Sequence, residues 1–143
     1  MELDLTLTPQ TIHAGDAVTA TLTLRHTAES AALVNTRLAV NRPGAPVGFR
    51  DVSFVVTGPD GVDLPLAVKV NVGAPRERDF RLLEPREAVT RTVDLHKLYD
   101  LSRPGAYRIR ATYRGESDPG DGRTAWHGIV ESPLAGLRVE PAA

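Results

Sequence analysis

The chain contains no cysteine. That excludes a disulfide framework, a cysteine nucleophile and any thiolate metal site. It assigns no compartment, because many secreted β-sandwiches also lack cysteine. Aromatic residues make up only 5% of the chain, with one tryptophan, so any core must be mainly aliphatic. Neither sign of charge dominates: 17 Lys and Arg stand against 18 Asp and Glu. No global field therefore exists to recruit nucleic acid or an anionic membrane surface. No window approaches the roughly 18 apolar residues of a membrane span. The opening MELDLTLTP has neither the basic nor the apolar region of a leader. The expectation is a cytoplasmic chain if Met1 is native, or a secreted or periplasmic one if a leader has been removed, with no membrane insertion in either case. No stretch sustains a helical period.

What the chain has is turn chemistry and alternation. Eleven prolines and twelve glycines in 143 residues suit short strands joined by turns. The length is that of one domain over residues 1–143, which buries roughly 70% of its unfolded surface and so holds a core without staples.

Leu3, Leu5 and Leu7 alternate with Asp4, Thr6 and Thr8, a half-buried strand. Val18, Ala20, Leu22 and Leu24 alternate with Thr19, Thr21, Thr23 and Arg25, a second, with threonines suited to a solvated pleat. A weaker segment spans Leu33–Val40. Val52, Phe54 and Val56 begin another strand, closed by the turn Gly58-Pro59-Asp60-Gly61. Val62–Val72 reads as an irregular strand with Pro65 inside it, hence an edge or a bulge. Residues 73–81 read as a charged, solvated loop. Val89, Val93 and Leu95 share a face that Arg91 interrupts, which a bulge, an edge position or a snorkelling stem explains. One helical turn is expected within His96–Ser102. Tyr107, Ile109, Ala111 and Tyr113 then face one way, and Arg108, Arg110, Thr112 and Arg114 the other. The final strand, Trp126–Glu131 and Leu137–Glu140, is broken at Pro133 and Gly136.

Seven to nine short strands with frequent turns predict an all-β fold, an antiparallel sandwich of immunoglobulin or fibronectin-III type. Gly105-Ala106-Tyr107 fits a tyrosine corner, in which the phenol hydroxyl bonds a backbone group upstream. Two residues after the tyrosine, where disulfide-bonded immunoglobulin domains carry cysteine, stands Ile109, so packing replaces the bridge. Trp126 is expected to close one end of the core, with a surface anchor for a partner as the alternative.

Three runs carry a family resemblance. Ser53–Val72 resembles the strand–DG–strand hairpin of a bacterial immunoglobulin-like domain. Leu82–Arg114 is similar to its second half, L-x-P-G-E, an apolar strand, D-L-S-x-x-Y-D-L-S and G-x-Y. Trp126, Gly128 and Ser132 match its closing W-x-G-x-x-x-S. The domain resembles the N-terminal pro-region of deuterolysin-type (peptidyl-lysine) zinc metalloendopeptidases. The resemblance covers most of residues 3–140. Arg86 departs from the family's glycine and His96 from its serine, both turn or surface changes. The resemblance implies the sandwich and a non-catalytic role. A zinc peptidase needs an H-E-x-x-H helix, and none is present.

No residue set specifies a reaction, and no cofactor, catalytic or metal residue is expected. His13, His26, His96 and His127 do not share ligand spacing on any element. G-x-S-x-G and phosphate-loop motifs are absent, and Gly115, Gly120 and Gly122 sit in an acidic loop that would repel phosphate. Glu116, Asp118 and Asp121 leave calcium open, though without full EF-hand spacing.

The candidate interaction surface is the stripe of Arg108, Arg110 and Arg114, with Arg103 nearby. Asp94 or Glu131 are the cross-strand acids expected to neutralise it. The expected role is a non-enzymatic protein-interaction module whose partner is another protein. A regulator of a separately encoded peptidase, through the 41–48 or 73–81 loops, is the alternative. A structural subunit pairing through exposed edges, Val62–Val72 and the final strand, is a third reading. The oligomeric state stays open.

Overall fold

A computed structural model describes residues 1–143. Ten strand segments form two facing sheets and one short ribbon. The first sheet is β1 (Glu2–Thr8), β3 (Thr19–Arg25) and β7 (Ala88–Asp94), in the order β1-β3-β7 and wholly antiparallel. The second has the order β2 (Thr11–His13), β10 (Ala135–Glu140), β8 (Gly105–Gly115), β5 (Val52–Thr57). Here β9 (Gly128–Glu131) continues the β10 side along β8, and β2 runs parallel to β10. The ribbon pairs β4 (Ala32–Asn35) with β6 (Phe80–Leu83).

The alternation read from sequence sets the register. Leu3, Leu7, Ala20, Leu22 and Leu24 face inward from the first sheet. Phe54, Val56, Tyr107, Ile109, Ala111 and Tyr113 face them from the second. Twenty-four buried residues, from Leu3 to Val139, form one cluster. A fully buried leucine or valine contributes about 1.5–3 kcal/mol, so a core of this extent holds the sandwich without a disulfide. Ile109, expected to pack where a disulfide would stand, is fully buried within that core. After Pro9 the chain leaves the first sheet, and Ile12 enters the second beside Val139.

The corner before β8 forms as expected. The Tyr107 hydroxyl donates to the Arg103 carbonyl at 2.6 Å. Gly105 is required there: its φ is +137°, and a Cβ would lie 2.6 Å from the Pro59 ring. The expected helical turn is a 3-10 turn, Leu95–Lys97. Arg91 opposes Leu22 without a bulge, on the edge strand β7. It lies exposed, and its guanidinium donates to the Leu38 carbonyl.

Four expectations are corrected. Val62–Val72 is not a strand: beyond a single bridge from Thr57 to Asp63 it runs as an unpaired strap, with Pro65 unable to donate to a ladder. The final strand is not an edge along β10, which lies between β2 and β8. The weak strand Leu33–Val40 stops at Asn35, because Leu38 turns the chain with a φ of +52°. The loop read over 73–81 gives way at Phe80 to β6.

Candidate functional site: the outer face of the second sheet

β8 is the longest strand, and its even-numbered residues point away from the core. Its register sets Arg108 beside Thr57, Arg110 beside Val55 and Thr112 beside Ser53 on β5, with Glu131 beside Thr112 on β9. The predicted stripe thus lies along the outer face of the second sheet, but its members differ in circumstance.

Arg114 donates to Ser53 Oγ at 2.7 Å and is half-buried. Arg110 meets Glu131 only at 3.5 Å, and its Nε is shielded from solvent without an acceptor. Arg108 is exposed and pairs with no acid. Arg103 stands apart at the corner, 3.1 Å from Asp60. The Val62 amide and then Arg103 hold that carboxyl below the usual carboxylate range. Of the two acids expected to neutralise the stripe, Glu131 does so in part. Asp94 does not: it ends β7 in the other sheet and pairs with Lys97 at 3.4 Å.

Arg108 and Arg110 border a shallow depression of about 390 Å³, with Val55, Thr57 and Leu134 around it. Val55 is 39% exposed and Leu134 53%. Two cations with unspent hydrogen-bonding capacity thus flank accessible apolar surface.

Trp126 is half-buried and lies against the core end of the sandwich. Its ring sits 6.0 Å from that of Tyr113. Gly115 and Gly128 make room for it, since a Cβ on either would meet its atoms at 2.6–2.7 Å. This is the core-closing placement rather than a free anchor.

The acids of the 115–123 loop do not converge. Glu116 pairs with Arg50 at 3.0 Å and accepts from the Gly48 amide. Burial pushes the Glu116 carboxyl up, but those bonds outweigh it and its pKa falls below the ordinary value. Asp118 accepts from the Ala125 amide and pairs with His127, while Asp121 pairs with Arg123. No three His, Asp or Glu side chains gather as a metal-binding group.

Two features had no clear sequence signal. Asp51 is buried and accepts from Arg37 Nε at 2.7 Å, Arg37 Nη2 and the Ala39 amide at 3.0 Å, and Asn35 Nδ2 at 2.9 Å. This knot pins the β4–β5 crossover. The 41–50 loop is cross-braced: Asn41 Nδ2 donates to the Phe49 carbonyl at 2.7 Å, and Arg50 Nη1 to the Pro43 carbonyl at 2.8 Å. It presents Val47, 69% exposed. The 73–81 connection contains a single 3-10 turn, Glu77–Asp79. No helix is long and apolar enough to cross a membrane. No protein-family model matches the chain, and no curated protein does.

Proposed function

We propose that this chain is a non-enzymatic protein-interaction module that presents the outer face of its second sheet to an acidic partner protein. The observation that carries this reading is the contrast along the stripe. Arg103 and Arg114 are committed to partners inside the molecule, while Arg108 is free and Arg110 is held only by a 3.5 Å contact with Glu131. Unspent donors beside exposed Val55 and Leu134 suit an acceptor-rich surface with apolar contacts. The sandwich is of the immunoglobulin type on this reading. The tyrosine corner and the transfer of the N-terminal segment from one sheet to the other support that. Affinity capture with the wild-type chain and with an Arg108→Glu/Arg110→Glu variant as baits tests the role. A partner retained by the first and lost by the second is expected. A partner retained equally by both overturns the assignment to this face.

A second reading, a regulator of a separately encoded peptidase, is supported by the 41–50 loop. An inhibitory loop must be exposed and held rigid to resist cleavage. This loop meets both conditions through its Asn41, Arg50 and Gly48 bonds and the projection of Val47. The likeness of residues 82–114 to a protease pro-region points the same way. A panel of metallo-, serine and cysteine proteases tests it: inhibition that Val47→Asp removes supports this reading, and no inhibition across the panel ends it.

A further inference from the structure

The strap over Val62–Val72 stands off the sandwich and leaves a groove of about 490 Å³, within the size range of small-molecule sites. Its floor is the buried pair Phe54 and Tyr99, whose rings meet edge to face at 6.4 Å. Leu64, Leu66, Val68 and Val70 of the strap form its wall. The strap is tied at three points. The Leu64 and Ala67 amides donate to the Val56 and Leu98 carbonyls, each at 2.8 Å, and the Gly73 carbonyl accepts from Arg37 Nη1 at 2.9 Å. These ties hold the groove in shape before any ligand arrives, which lowers the cost of binding.

The groove is polarised along its length. Arg42 follows Asn41, whose amide donates to the Val52 carbonyl at 2.9 Å, so it marks the Val52 end of β5. Lys69 lies at the same end. Its neighbour Val70 also borders the depression lined by Ala39, and the Ala39 carbonyl accepts from the Val52 amide at 3.0 Å. Asp63 lies at the opposite end, where it accepts from the Thr57 hydroxyl at 2.8 Å. From Val52 to Thr57 the strand rises about 17 Å. Arg42, Lys69 and Asp63 are all exposed, and none makes an ion pair.

The chemistry between the two ends decides the class of ligand. The Phe54 carbonyl already accepts from the Tyr99 hydroxyl, at 3.4 Å, and the Asn41 amide group is spent on the Phe49 carbonyl and the Arg42 amide. A peptide laid along this floor would give up water at its own amides and find no replacement. A hydrocarbon chain has no such groups to satisfy. We propose that the groove binds a free medium-chain fatty acid. The carboxylate sits at Arg42 and Lys69, and the alkyl tail runs over Phe54 beside Leu66 and Val68. Asp63 repels a carboxylate and so fixes the direction of the tail. The site is separate from the arginine stripe, although Val55 and Asp63 border both surfaces.

The test is isothermal titration calorimetry of the chain with dilute sodium decanoate. One saturable site is expected. Affinity should rise about fourfold per methylene from hexanoate to decanoate, the increment for burying one such group. Decan-1-ol, which lacks the charge, should bind at least tenfold more weakly, and the dicarboxylate sebacate at least fivefold. Arg42→Glu/Lys69→Glu should weaken decanoate at least tenfold. Val68→Trp, which fills the groove from an exposed position, should weaken it at least fivefold. Arg108→Glu/Arg110→Glu should leave it unchanged. No saturable binding of decanoate by the wild-type chain overturns the proposal, as does affinity that does not grow with chain length. Decan-1-ol or sebacate binding as tightly as decanoate overturns the assigned ends. Binding lost in Arg108→Glu/Arg110→Glu and kept in Arg42→Glu/Lys69→Glu overturns the groove as the site.

Discussion

The Tyr107 hydroxyl and the Arg103 carbonyl, four residues apart in sequence, are joined by a 2.6 Å hydrogen bond across the turn into β8. The bond fixes where β8 begins, and so the register that places Arg108 and Arg110 on the outer face. Tyr107→Phe keeps the ring in the core and removes only this bond. A loss of about 1 kcal/mol is expected, seen as a fall of about 3–5 °C in the thermal midpoint. An unchanged midpoint would mean that ring packing alone sets the corner.

The buried Asp51–Arg37 pair should respond very differently to single and double substitution. Asp51→Leu strands the Arg37 guanidinium, the Asn35 amide and the Ala39 amide without their acceptor. Because Arg37 keeps some contact with solvent, the cost should lie at the low end for breaking a buried pair, about 3 kcal/mol. Arg37→Met/Asp51→Leu together should recover a substantial part of that. A denaturant-based double-mutant cycle reads the coupling, and strictly additive losses would contradict it.

Arg86 holds a φ of +69° in the turn between β6 and β7. A non-glycine residue there is strained by about 1 kcal/mol. Arg86→Gly relieves the strain but loosens the unfolded chain, leaving a net gain of about 0.5 kcal/mol. The bond from Arg25 to the residue 86 carbonyl survives the change. A raised urea midpoint is expected, and a lowered one would show that the Arg86 side chain contributes more than its backbone costs.

Alkaline solution should unfold the chain through its tyrosines. Burial pushes the Tyr99 hydroxyl up to about 12 and raises Tyr113 still further, and burial also raises Tyr107. An unfolded tyrosine titrates near 10. Folded pKa values above the unfolded value mean that the folded chain holds the extra protons. The stability is then complete below pH about 10 and is lost as pH rises toward about 12. Tyrosinate absorbance should therefore rise together with loss of β-sheet circular dichroism. Independent titration near pH 10 with the fold intact would contradict this.

Most of the sandwich was legible because its signal is local. Period-two alternation in residues 2–8, 19–25, 52–57 and 105–115 sets which face is buried, and the Gly105-Ala106-Tyr107 step marks the corner. What was not legible depends on pairing at a distance. Val62–Val72 has strand-forming residues, but no neighbouring strand offers it a ladder. The tail reads as an edge until β2 crosses over to pair with β10. The stripe was visible as parity, yet its division into committed and free arginines depends on Ser53, Asp60 and Glu131. Sequence separates these by 61, 43 and 21 residues from Arg114, Arg103 and Arg110. The Asp51 knot was hidden for the same reason: its donors come from β4 and the turn after it.

The most direct measurement of the central claim is the affinity of an acidic polypeptide, poly-glutamate, for the wild-type chain and for Arg108→Glu/Arg110→Glu, across a range of ionic strength. The account predicts binding that weakens with salt in the wild type and falls at least tenfold in the variant. Equal affinity for both chains, independent of salt, would contradict it.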